Sequence, residues 1–266
     1  MIFLPKSLVL IDKIYNISPK KQKEDIYLRY QKYLYEHIKG FPDTTVKIKK
    51  LRQYDKRFEV IINGPEEVFV QNLLKSEIGS IQEFTSIKVG QIFKGTLVDV
   101  GKVGFGLFAD CGIMNPQIDV LVNLHTLRTQ LCNDKEKSLN EIINAYEFID
   151  NFPVYVKITK IETENNKIQG EFAPETLNLF NKITRENIEG VFLSGETKGQ
   201  FKKIITQQGH FRDIITVKRF GFLENLVLLK KDSDAPGIIA HIGKQLRNCK
   251  MSAIRPKKIR KLLYDK

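Results

Sequence analysis

The sequence predicts an α+β chain in three parts: a central closed β-barrel of five short strands, flanked by two small α/β domains. Three observations predict this. A stretch from residue 88 to 172 is rich in strand-like runs with one helical interruption, whereas the segments on either side alternate strand and helix patterns in nearly the same order. A length of 266 residues gives room for two or three domains. Finally, 42% hydrophobic and 28% charged residues describe a globular chain, neither disordered nor membranous.

Residues 1–87 read as β-α-β-β-α. Leu8-Val9-Leu10-Ile11 is a short apolar strand. Ser18 and Pro19 are placed to open a helix, since Ser caps well and Pro loses nothing at the first helical position. Ile26, Tyr30, Tyr33, Leu34 and Ile38 then follow helical spacing up to Gly40. Val46–Lys49 and Phe58–Ile62 read as two strands of a hairpin, and Asn63-Gly64-Pro65 breaks the second. A second helix begins at Pro65-Glu66-Glu67, with Val68, Val70, Leu73, Leu74 and Ile78 as its apolar positions. A last strand is expected around Ile81–Ile87.

Residues 173–266 repeat the order. Val191–Ser194, Ile214–Val217, Leu226–Leu229 and Met251–Ile254 read as strands. Thr197 and Gln200 have capping-box spacing at the head of a helix that buries Phe201, Ile204 and Ile205. Asp234 caps another, carrying Ile238, Ile239, Ile242 and Leu246. The order βαββαβ is that of the ferredoxin-like fold, and the first segment reads as the same unit.

Within residues 88–172 the strands are Ile92–Val98, Gly101–Asp110, Asp119–Leu124, Pro153–Ile161 and Lys167–Phe172. Five short strands with a helix before the fourth match a Greek-key OB barrel. The insertion, residues 126–151, holds that helix: Ser138 and Glu141 have capping-box spacing, and Leu139, Ile142, Ile143, Tyr146 and Ile149 form its apolar stripe.

Three elements in order resemble the S1 RNA-binding domain. Phe105-Gly106-Leu107-Phe108-Ala109-Asp110 is similar to its F-G-x-F-V-D strand. Val120-Leu121-Val122-Asn123-Leu124-His125 is similar to the next, with Asn123 where the family usually has histidine, and Lys167-Ile168 corresponds to its Arg-Ile. The resemblance implies single-stranded RNA binding, with bases stacked on strand aromatics beside a basic groove. It places Phe105, Phe108, Asn123 and Lys167 in the site, with Lys102 and Arg128 nearby. Strand alternation leaves open which phenylalanine stacks and which is core. The whole chain resembles an archaeal family with a central S1-like domain, which implies cytoplasmic RNA metabolism or translation.

Charge bears on the partner. The net charge is +12, from 15 Lys/Arg against 11 Asp/Glu in residues 1–87, 9 against 11 in 88–172, and 19 against 9 in 173–266. A polyanion engaged mainly from the C-terminal segment is expected. From Lys244 to Lys266 nine cations stand against Asp265, and Lys257, Lys258, Arg260 and Lys261 are the expected phosphate contacts, outward from a helix anchored by Ile259, Leu262 and Leu263.

Other chemistry is thin. Asp232-Ser233-Asp234-Ala235-Pro236-Gly237 resembles the signature of ACT domains, which implies an amino-acid ligand; helix capping is the plainer reading of the same residues. No Walker loop, nucleophile elbow or H-E-x-x-H is found, so neither catalysis nor a cofactor is expected. Cys111, Cys132 and Cys249 form no C-x-x-C, and no metal site or disulfide is expected. Met1-Ile2-Phe3-Leu4-Pro5 does not read as a signal peptide, and no apolar run approaches bilayer length, so a cytoplasmic chain with no membrane partner is expected. The functional expectation is a non-catalytic RNA-binding protein, its RNA ribosomal or other. The alternatives are an adaptor docking on a ribosome, RNA polymerase or exosome-type assembly, and an ACT-like small-ligand sensor.

Overall fold

The computed structural model describes residues 6–15 and 20–264, which divide into two compact units at Ile81/Gln82. In the first, β1 (Lys6–Lys13), α1 (Lys20–Ile38), β2 (Thr45–Leu51), β3 (Arg57–Asn63) and α2 (Glu67–Glu77) follow in order. The sheet is antiparallel with the order β1-β3-β2. Tyr30, Leu34, Phe58, Val60 and Leu74 are fully buried, and the Tyr30 ring stacks on Phe58 with centroids 4.3 Å apart. The expected Ser18-Pro19 helix start lies outside the described residues. Val68 does not join the buried stripe of α2: it is exposed, while Val70 and Leu74 face the core.

The strand expected around Ile81–Ile87 is not part of this sheet. Ser80 makes a single bridge to Leu10, and the chain then continues as β4 (Gln82–Glu83), which pairs in parallel with a strand of the next unit. A 3-10 turn occupies Phe84–Ser86.

The second unit contains a closed five-stranded barrel: β5 (Ile92–Val98), β6 (Gly106–Met114), β7 (Ile118–Asn123), β8 (Pro153–Glu162) and β9 (Lys167–Phe172). Pairings β6–β5, β5–β8, β8–β9, β9–β7 and β7–β6 close the ring, with β7–β9 the parallel pair. Between β7 and β8 the structure has two helices where the sequence analysis expected one, α3 (Leu124–Leu131) and α4 (Leu139–Tyr146). The strand ends at Asn123, one residue before the expected Leu124. Asn123 turns the chain by accepting a hydrogen bond from Thr126 N–H at 2.9 Å, the action of an N-cap. The Ser138–Glu141 capping box of α4 is formed as expected.

After the barrel come α5 (Pro174–Glu186), β10 (Gly190–Ser194), α6 (Lys198–Gln207), β11 (Ile214–Arg219), β12 (Glu224–Leu229), α7 (Ala235–Gly243), β13 (Lys250–Ile254) and α8 (Pro256–Tyr264). The strands form an antiparallel sheet of order β11-β12-β10-β13. One sheet face buries Val191, Leu193, Val227 and Leu229 against α6 and α7. The opposite face, through Phe192, Leu226, Leu228 and Ile254, shares a single apolar cluster with the barrel.

Helix α5, which the sequence analysis passed over, makes that junction. Its Phe180 lies edge-on to Tyr146 (4.9 Å between centroids) and Phe148 (5.5 Å), and stacks on Phe152 (5.8 Å). Phe152 in turn meets Phe192 of β10 at 4.7 Å. Barrel, inserted helices and C-terminal sheet therefore bury their apolar surface together.

Candidate nucleic-acid interface

Leu107 and Ala109 of β6 point into the barrel, and Phe108, on the opposite pleat, points outward and is half-buried. Phe105 precedes the strand and is 56% exposed. Neither ring is in the barrel core. The two meet edge to face, with centroids 6.0 Å apart and planes at 88°. Register extends the outward row across four strands, from Val98 to Phe108, Leu121 and Gln169.

Between the two rings, Gly106 is opposite Asn123. A Cβ there would stand 2.5 Å from the Val122 carbonyl oxygen and 2.8 Å from Leu121 Cδ1. Only glycine lets the strands approach so closely, and Gly106 itself is buried under that contact. The outward face thus offers one exposed ring, Phe105, set edge to face with the half-buried ring of Phe108, and an exposed ring is what a nucleobase needs for stacking.

The polar residues around this face are largely engaged. Asn123 caps α3 through Oδ1, and its Nδ2 lies 3.5 Å from Gln169 Oε1. Arg128 donates Nε–H to the Lys137 carbonyl at 2.8 Å, bracing the connection between α3 and α4. Lys102, exposed in the β5–β6 connection, is paired with Asp99 at 2.7 Å, which holds its ammonium above its ordinary pKa. Lys157 pairs with Glu171 at 3.1 Å and Lys160 with Glu162 at 2.5 Å. Lys167 is exposed at the start of β9, opposite Glu162.

The four cations of the tail do not act alike. Helix α8 is amphipathic and buries Ile259 and Leu262 in the shared cluster. Lys258 and Arg255 both pair with Glu147 of the barrel insertion, and Lys250 pairs with Asp150 at 2.8 Å. Arg260 donates to Asn187 Oδ1 at 2.7 Å and to the Thr184 carbonyl. Lys257 and Lys261, one turn apart, are exposed and make no ion pair among the described residues.

At the ACT-like segment, the Asp234 carboxylate accepts from Gly237 N–H at 3.0 Å and Glu189 from Ala235 N–H at 2.8 Å. The first turn of α7 is capped from within the chain. Among the described residues no three His, Cys, Asp or Glu side chains gather as a metal site would require, and no helix is long and apolar enough to cross a membrane.

Residues 87–184 match the family model of the DUF2110 central domain, and residues 181–254 match that of the DUF2110 C-terminal domain. From residue 87 to residue 254 the chain is similar to DUF2110. The phenylalanine pair, Asn123, Arg128 and Lys167 all lie in the part similar to the DUF2110 central domain, whereas Lys257, Lys258, Arg260 and Lys261 lie beyond both matches. No curated protein matches the sequence. Similar solved structures include the protein MJ1198 from Methanocaldococcus jannaschii, at 16% identity over 34% of this chain and 96% of that one, with a TM-score of 0.23. GSP13 from Bacillus subtilis is 19% identical over 32% of this chain and 55% of its own, with a TM-score of 0.24. The a/eIF2alpha–aDim2p–rRNA complex from Pyrococcus horikoshii OT3 matches at 8% identity over 48% of this chain and 70% of the other, with a TM-score of 0.26.

Proposed function

We propose that this chain is a non-catalytic RNA-binding protein that takes single-stranded RNA on the outer face of its barrel. The observation that carries the reading is the edge-to-face pair made by exposed Phe105 and half-buried Phe108 on the outer face of the barrel. We read the barrel as OB type and S1-like, and the sheet order β11-β12-β10-β13 as a ferredoxin-like domain. Bases stack on the rings, and the basic C-terminal segment supplies the phosphate contacts that the barrel, with Lys102, Lys137, Lys157 and Lys160 already paired, does not.

Fluorescence anisotropy with labelled single-stranded oligoribonucleotides tests this. Phe108→Ala and Phe105→Ala are each expected to cost roughly 1–3 kcal/mol of binding, with the salt dependence little altered, because stacking releases few counterions. Wild-type affinity in both variants would refute it.

A second reading is favoured by one observation. Lys102, Lys137, Lys157 and Lys160 of the barrel are all paired with carboxylates of the same segment, which suits a protein partner better than a polyanion. Crosslinking in cells separates the two readings: RNA recovered at Phe105 or Phe108 supports the first, and protein alone supports an adaptor.

A further inference from the structure

Helices α6 and α7 cover one face of the C-terminal sheet, and their outward sides carry no carboxylate. Between them lies a 3-10 turn, His210–Asp213, that gathers neighbouring elements. It follows α6 directly. The His210 Nε2 and His241 Nδ1 atoms are 2.9 Å apart, tying the turn to α7, and Asp213 holds His210 Nδ1 at 2.9 Å. The Asp213 carbonyl accepts from Lys230 N–H at 2.8 Å, tying in the β12–α7 connection.

The elements linked in this way carry Lys202 and Lys203 on α6, Arg212 on the turn, Lys230 and Lys231 on the connection, and Lys244 just past α7. All six are exposed, and none makes an ion pair among the described residues. In their midst Phe211 is 59% exposed. The carboxylates close by are engaged locally: Asp213 with His210, Asp234 with Gly237 N–H and Glu189 with Ala235 N–H, leaving Asp232. These elements thus carry six exposed cations without an ion pair among the described residues, whereas half of the tail's four cations are held by Glu147, Asn187 and the Thr184 carbonyl.

We infer that the face around the His210–Asp213 turn is a second RNA-contacting surface, where the cations neutralise phosphates and Phe211 stacks on a base. It rests on the reading of the chain as RNA-binding and names the place where the phosphate contacts are made. Six exposed cations against one unengaged carboxylate, Asp232, suit a phosphate backbone, and an exposed ring on the same turn adds a sequence-tolerant stacking surface.

The test compares full-length variants by anisotropy over a range of salt concentrations, using a labelled single-stranded oligoribonucleotide. Replacing Lys202, Lys203, Lys230 and Lys231 with Gln should lower the log–log salt slope by about 0.7 per lost phosphate contact, roughly 3 in all. Phe211→Ala should weaken binding roughly 5- to 150-fold with little change of slope. The charge-matched control replaces Lys32, Lys39, Lys47 and Lys75, exposed lysines of the first unit, with Gln and should keep the slope. An unchanged slope in the first variant, with wild-type RNA binding intact, overturns this inference and leaves the barrel reading standing. An equal fall in the control overturns it too, because net charge alone would then be responsible. Absence of RNA binding by the wild-type chain overturns both.

Discussion

Removing the Phe180 ring is the sharpest test of how the second unit is built. Phe180 is 2% exposed and touches three rings: Tyr146 and Phe148 from the barrel insertion and its flank, and Phe152 at the entry to β8. Phe152 passes the contact on to Phe192 of the C-terminal sheet. Phe180→Ala leaves a ring-sized cavity that rigid strands on one side and helix α8 on the other cannot close. A cost of about 3–5 kcal/mol is expected, a figure that includes the edge-to-face pairs. Because barrel and sheet share the cluster, the loss must appear in both. Hydrogen exchange by mass spectrometry reads this directly: peptides from β6–β7 and from β10–β12 should open with one common free energy in the wild type, and both should fall by the same amount in the variant. Phe211→Ala, at an exposed ring, should leave both within about 0.5 kcal/mol. Protection lost from only one of the two regions, or a change under about 1 kcal/mol, would refute the shared core.

Two further outcomes follow from local chemistry. Lys49 and Ser7, with Lys50, hold the Glu59 carboxyl down to about 2 from its ordinary 4.5. A depressed carboxyl stabilises the fold fully above about pH 5 and loses that contribution as pH falls towards 2. The lysines are exposed (45% and 60%), so screening limits the effect to about 1 kcal/mol, and thermal melts at pH 6 and pH 3 should differ more for the wild type than for Glu59→Gln. At α7, Asp234→Ala should cost about 0.5–2 kcal/mol in urea denaturation as a lost cap. Free amino acids should leave the melting temperature of the wild type unmoved, whereas a true ligand at 100 times its Kd would add about 2.7 kcal/mol.

Elements with strong local signals were legible in the sequence. The strands Val191–Ser194 and Leu226–Leu229 are apolar on both faces because one side meets α6 and α7 and the other meets the barrel cluster. The capping boxes at Ser138 and Asp234's cap formed where spacing placed them. What could not be read was set by distant partners. The loss of a fourth strand from the first sheet depends on β4 pairing with Ile113 and Met114, some thirty residues on in the chain. Helix α3 was hidden because Asn123 continues an alternating strand pattern while its side chain acts as a cap. Helix α5 did carry signals, Pro174 at its first turn, Leu179, Phe180 and Ile183 in helical register, and Asn187 in the left-handed conformation at its end. At the candidate site, the placing of both phenylalanines outside the barrel core follows from Phe105 lying outside β6, a boundary that alternation alone does not fix. The pairing of Lys258 and Arg260 was illegible because their acceptors, Glu147, Thr184 and Asn187, lie 73 to 111 residues earlier.

The anchoring of α8 has a kinetic consequence. Lys250 reaches back 100 residues to Asp150 and Lys258 reaches back 111 to Glu147, while Ile259 and Leu262 complete a cluster begun at Phe84. During synthesis the barrel strands emerge long before the segment that covers their inserted helices. Until residues 256–264 leave the exit tunnel, part of the apolar stripe on α4 has no cover, and the last loop to close is a long one. The nascent barrel would then expose sticky surface for most of the time its own strands take to appear and pair. Chaperone occupancy along the growing chain should drop sharply only after Leu262 is free to dock.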